Sequence, residues 1–257
     1  MPFADLADVR LHYQFDGPIG APVLVLSNSL GTDLAMWEAQ MQQLTRDHRV
    51  LRYDTRGHGQ SATTPGPYSV EQLGRDVLAL LDHLALERVT FCGLSLGGMT
   101  GMWVGAHAPA RIARLVLANT TARIASPDSY KARIDIVNAS GMAAISDAVL
   151  VRWFTPAFIA REPAIVAAVK AMLERTPPAG YVASCAAVRD MDQRDEVQAI
   201  AAPTLVIVGA HDGPTPPADG RFLADRIPGA RLIELDAAHL SNIEAAPAFN
   251  AALASFL

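Results

Sequence analysis

The sequence predicts an α/β fold, a mostly parallel sheet flanked by helices and interrupted once by a helical insertion. Three observations predict it. Short apolar runs alternate with helix-period stretches from residue 22 to residue 118, and again from residue 203 onward. Between them, over residues 121–199, the alternation stops and apolar residues recur at helical spacing alone. Finally, Gly93-Leu94-Ser95-Leu96-Gly97 stands where an apolar run gives way to a helical one. This is the strand-turn-helix setting that presents a serine above the end of a sheet.

Residues 3–15 alternate loosely around Asp8 and read as an opening hairpin closed by Asp16-Gly17-Pro18. Pro22-Val23-Leu24-Val25-Leu26 is a continuous apolar run, as expected of a strand buried on both faces. The polar loop Ser27-Asn28-Ser29-Leu30-Gly31-Thr32-Asp33 follows, then a helix over about 35–44 and a strand over 49–53. Ser69, with Gln72 three residues later, predicts a capped helix whose apolar face carries Leu73, Val77, Leu80, Leu81 and Leu84. Residues 88–92 form the strand before Ser95, a glycine-rich helix follows it, and 114–118 form the next strand. The insertion is broken at Gly141, Pro156, Pro163 and Pro177-Pro178 and carries nine basic and nine acidic residues. The alternation then resumes with a strand at 203–208, a helix at 218–226, a strand at 231–235 and a closing helix at 247–257. The predicted division is a core of residues 1–120 and 200–257 with a helical cap of residues 121–199.

An apolar fraction of 51% supports a sizeable core. The net charge of −5 with no basic run excludes nucleic acid as an expected partner. No apolar run reaches the ~18 residues of a membrane span, and the first residues show no signal peptide. A soluble cytoplasmic protein is expected. Cys92 and Cys185 make neither a disulfide framework nor a metal cluster. With no phosphate loop or dinucleotide fingerprint either, no cofactor and no metal are expected.

A serine hydroxyl needs a base to take its proton. Of the seven histidines, His239 directly follows the last strand, at the sheet edge shared with Ser95. His83 and His107 fall in or near helices and read as structural, and His211 reads as a loop residue. The acid that orients the imidazole is Asp212, which follows the penultimate strand at the same edge. The rival position, after the strand at 114–118, holds Asn119, which carries no charge. The chain order Ser95, Asp212, His239 is the nucleophile-acid-base order of α/β-hydrolases. The oxyanion hole is then expected from the backbone N–H of Leu96, at a helix N-terminus, and that of Leu30 in the loop after the first buried strand.

The resemblance to the α/β-hydrolase fold covers essentially the whole chain. Within it, the loop from Leu26 through Asp33 with Met36-Trp37 resembles 3-oxoadipate enol-lactonases. So do Tyr53-Asp54-Thr55-Arg56-Gly57-His58-Gly59-Gln60-Ser61, the Ser95 turn, and Gly209-Ala210-His211-Asp212 through Thr215-Pro216-Pro217. Asn28-Ser29 stands where the wider superfamily usually has His-Gly. The resemblance implies hydrolysis of an enol-lactone to 3-oxoadipate in bacterial breakdown of aromatic compounds. The alternatives are a carbon–carbon bond hydrolase or carboxylesterase on the same machinery, and a ligand sensor on the same fold. The implied small-molecule lactone carries a carboxylate, which an apolar pocket alone would bind at a desolvation cost. Cationic candidates in the insertion are Arg123, Lys131, Arg133, Arg152, Arg161 and Arg189. Arg133 is favoured, because Ile134, Ile136 and Val137 beside it suit a helix with one face inward, with Trp153 as a candidate apolar wall.

Overall fold

The computed structural model describes residues 2–257. Its strands are β1 (Phe3–Asp5), β2 (Arg10–Asp16), β3 (Val23–Ser27), β4 (Arg49–Tyr53), β5 (Val89–Leu94), β6 (Ile112–Ala118), β7 (Thr204–Gly209) and β8 (Arg231–Leu235). They form one sheet in the order β1-β2-β4-β3-β5-β6-β7-β8. β1 and β2 are the antiparallel hairpin, β2 runs antiparallel to β4, and every pair from β4 across to β8 is parallel. The central strands are mostly apolar because helices cover both faces; all six residues of β7 are buried. From β3 the chain passes to β4 on one side and then to β5 on the other. The loops after β3 and β5 therefore face each other at the carboxyl edge, where such sheets open a crevice.

The helices of the first half are α1 (Glu38–Leu44), α2 (Val70–His83) and α3 (Leu96–His107). The helix expected from about residue 35 starts instead as a tight 3₁₀ turn, Leu34–Trp37. The Asp33 carboxylate caps it at the Ala35 N–H, and the Trp37 indole donates back to Asn28 Oδ1 at 2.9 Å. Ser69 caps α2 by accepting from the Gln72 N–H, and Leu73, Val77, Leu80 and Leu81 are buried.

Between β6 and β7 lie α4 (Pro127–Ser140), α5 (Ala143–Trp153), α6 (Pro156–Arg161), α7 (Pro163–Arg175) and α8 (Pro178–Asp190). The prolines that break the helical period open α6, α7 and α8, where the missing N–H has no intrahelical partner to lose. α4 packs on α8 and α5 on α7. The α8 end is joined closely to the core. A Cβ on Gly180 would overlap the backbone of Gly57, the Tyr68 N–H reaches Ala183 O at 3.1 Å, and Thr176 Oγ1 donates to Gly31 O. The chain closes with α9 (Pro217–Arg226), α10 (Ser241–Glu244) and α11 (Ala246–Ala254). No helix among the described residues is long and apolar enough to cross a membrane.

Candidate active site

Ser95 occupies the turn between β5 and α3 with φ 56° and ψ −113°, a conformation L residues rarely adopt. The backbone around the turn is closely packed. A Cβ on Gly93 would run into the Gly97 and Gly98 backbone, and one on Gly97 into Ser27. The Ser95 N–H is held by Ala118 O at 2.9 Å, and its own carbonyl accepts from Thr120 Oγ1 at 2.8 Å.

Asp212 follows β7 and His239 follows β8, so parallel pairing of the two strands brings both to the edge where Ser95 stands. His239 Nδ1 lies 3.0 and 2.9 Å from the two Asp212 oxygens, and both side chains are essentially inaccessible. The carboxylate also accepts from Asn119 Nδ2, Thr215 N and Thr215 Oγ1, all within 2.9 Å. Burial is the largest influence on its pKa and pushes it up. The His239 ring and the donors together outweigh burial and hold it below the usual carboxylate value. Asn119, the rival position for the acid, is hydrogen-bonded to Asp212: it donates to Asp212 and Ala238 O and accepts from Ser241 Oγ.

The two backbone N–H groups expected to form the oxyanion hole stand between neighbours that are already engaged. Ser29 N contacts Met36 Sδ at 3.3 Å, and Gly31 N donates to His58 Nε2 at 3.0 Å, which leaves the N–H of Leu30 between them. Ser95 N is on Ala118 O and Gly97 N on Asn28 O, which leaves that of Leu96. His58 is fully buried, and burial lowers its pKa to about 4. The ring is therefore neutral at pH 7, accepting from Gly31 at Nε2 with Nδ1 3.2 Å from Arg56 O.

Ser95, His239, Ser29 and Leu30 wall one small cavity with Tyr130, Arg133, Val149, Arg152, Trp153 and Pro214. Only about 20 Å³ is open to the centre of a water molecule, room for roughly one water. A larger groove of about 750 Å³ adjoins it, sharing Arg152 and lined by the neighbours of the pair, Gly213 and Ala238, but not by Ser95 or His239.

The family model of the alpha/beta hydrolase fold matches residues 22–246. The chain belongs to the α/β-hydrolase family. This hydrolase is 44% identical to 3-oxoadipate enol-lactonase 2 of Acinetobacter baylyi, over 96% of its own length and 92% of that protein's. Among solved structures it is similar to the enol-lactonase of Burkholderia xenovorans LB400, at 48% identity and TM-score 0.98, with 99% of each chain covered. A hydrolase from Pseudomonas aeruginosa PA01 matches at 47% identity and TM-score 0.96, over 99% of this chain and 97% of that one. The resemblance found in the loop and turn motifs thus extends over nearly the whole chain.

The cations of the hydrolase's helical insertion separate clearly. Arg189 pairs with Asp190, Arg123 faces Asp192 at 3.7 Å, Arg161 lies over the Phe158 ring in the outer groove, and Lys131 is exposed. Arg133 and Arg152 alone among the six reach the cavity wall. Arg133 is half-buried, donates to Tyr181 Oη at 3.2 Å and lies 4.9 Å from the Tyr130 ring centre. Burial is the main influence pushing both phenols' pKa values up, so neither supplies Arg133 with a negative charge at pH 7. Trp153 is buried in the same wall. Ile136 departs from expectation: it is 45% exposed, because the inward face of α4 runs through Tyr130, Arg133, Ile134 and Val137. Tyr130 was not singled out in the sequence, where its position one turn before Arg133 was the available signal. Thr215 fell within the motif that follows Asp212 but was given no role, and Ser241 and Glu244 carried no local signal.

Proposed function

We propose that this α/β hydrolase opens 3-oxoadipate enol-lactone to 3-oxoadipate through an acyl-enzyme on Ser95. The observation that carries the substrate class is Arg133, a half-buried cation with only neutral partners, in the wall of the cavity that holds Ser95. A carboxylate on the substrate gives that guanidinium the fork it lacks. The similarity to enol-lactonases names the lactone.

In this mechanism His239 takes the Ser95 proton as Oγ attacks the lactone carbonyl, and Asp212 stabilises the imidazolium. The acyl oxygen takes up negative charge facing the Leu30 and Leu96 N–H groups. When the ring C–O bond breaks, the His239 imidazolium gives its proton to the leaving enolate, which becomes the ketone by tautomerisation and so opposes ring closure, and His239 is left neutral. The chain stays tethered as an ester of Ser95. His239 then deprotonates a water that attacks this ester, and returns the proton to Ser95 Oγ as 3-oxoadipate leaves. Because the cavity holds about one water, the wall supplied by α4 and α5 has to yield for the lactone to enter. In this reading residues 121–199 form the cap, and the enzyme serves breakdown of aromatic compounds in the cytoplasm.

Turnover of a panel tests the reading: the enol-lactone, a small neutral ester and a ring-cleavage diketone. The expected result is a kcat/KM for the enol-lactone well above both others. A higher value for the diketone or the ester assigns the machinery to a different hydrolase reaction.

A further inference from the structure

Six buried side-chain polar atoms have no hydrogen-bond partner among the described residues, and of these Ser29 Oγ belongs to a residue that lines the cavity that holds Ser95. Ser29 is only 2% exposed, so water does not replace the missing partner at the surface. Burying an unbonded hydroxyl costs free energy that nothing in the fold offsets. Such a group is expected where a ligand completes it.

The backbone that carries this hydroxyl is held on all sides. Ser29 O accepts from both the N–H and the hydroxyl of Thr32, and Ser29 N contacts Met36 Sδ. The preceding Asn28 is tied to Tyr53 O, the Trp37 indole and Gly97 N. The following Gly31 is tied to His58. The N–H groups of Ser29 and Gly31 are therefore spent, while the Leu30 N–H and the Ser29 hydroxyl are not. These two are separated by only a few covalent bonds, so an acceptor that one reaches lies close to the other. Arg133, by contrast, comes from a different element of the cavity lining, α4.

We propose that the Ser29 hydroxyl is a third donor to the oxyanion, joining the Leu30 and Leu96 N–H groups where charge develops on the acyl oxygen. The inference rests on Ser95 as the nucleophile and not on the lactone as the substrate. A donor fixed before the reaction stabilises the transition state more than the ground state, and so acts on kcat.

Ser29→Ala removes the hydroxyl and little else. The expected result is a kcat lower by ~10–100-fold with KM changed less than about threefold. The loss should be equal on the enol-lactone and on a small neutral ester. Affinity for a boronic acid that forms a tetrahedral adduct with Ser95 should fall by a similar factor, at an unchanged melting temperature. Ser29→Gly gives the same readouts if the alanine variant does not fold. Unchanged kcat and boronate affinity overturn the proposal. A loss confined to the acidic lactone also overturns it, assigning the hydroxyl to the carboxylate. If the wild type fails to open the lactone while the ester and boronate losses persist, the substrate reading falls and this inference stands.

Discussion

At the scale of single residues, the site depends on groups that hold other groups. Asp212 keeps its charge while buried because four hydrogen-bonding partners converge on it, His239 among them. Asp212→Asn removes the charge and the tautomer control together, and is expected to lower kcat by about 10³–10⁴-fold. Asn119→Ala removes one charge-assisted bond, which at roughly 1.5 kcal/mol corresponds to about tenfold. Steady-state rates of the two variants check the ranking; equal losses would move the acid's role away from Asp212. His58 acts on stability. Its folded pKa of about 4 lies below the unfolded value of 6.5, so the unfolded chain binds the extra proton between them. Its contribution is therefore whole above about pH 6.5 and is lost as pH falls toward 4, by on the order of 3 kcal/mol. Denaturant midpoints across that window should slope less in His58→Gln than in the wild type.

At the scale of elements, α10 links the helical insertion to the histidine loop. Glu244 accepts from Ala238 N at 2.8 Å and from both Thr155 N and its hydroxyl, while Leu240 N reaches Trp153 O at 3.1 Å. The corner between α5 and α6 is thereby fastened on either side of His239. Glu244→Ala is expected to lower kcat about tenfold, and the melting temperature by a few degrees, through loss of hydrogen bonds to a charged acceptor. A stability loss with unchanged kcat would show that the link does not position His239. The extent to which the sequence disclosed this site follows from range. Ser95, Asp212 and His239 were legible as candidates because each lies within four residues of the end of a strand that can be read locally in the chain. Gly31–His58 and Thr155–Glu244 were not, because each joins residues whose proximity exists only after the sheet has formed. The 3₁₀ turn at Leu34–Trp37 was hidden because side-chain bonds within its own loop, from Ala35 N–H to Asp33 and from the Trp37 indole to Asn28, set the tighter winding and leave no mark on the apolar spacing. The insertion's helices were legible from their prolines, but which face of α4 turns inward was not settled by apolar spacing, as Ile136 shows.

At the scale of the whole molecule, the proposed mechanism draws its chemistry and its selectivity from different layers. The sheet edge supplies Ser95, Asp212, His239 and the oxyanion N–H groups, while α4 and α5 supply Arg133, Arg152 and Trp153. Arg133→Ala should therefore cost about 2–4 kcal/mol in kcat/KM for the acidic lactone, as for losing one partner of a buried charged pair. A small neutral ester should be nearly unaffected. An equal loss on both substrates would make Arg133 a support for the insertion. The account as a whole stands on Ser95 as the group that attacks the lactone, and the rate of enol-lactone opening by Ser95→Ala tests this most directly. With the fold verified by circular dichroism, the variant is expected to produce no 3-oxoadipate above the uncatalysed rate while the wild type turns over. A folded variant that opens the lactone at near wild-type rate would contradict the account.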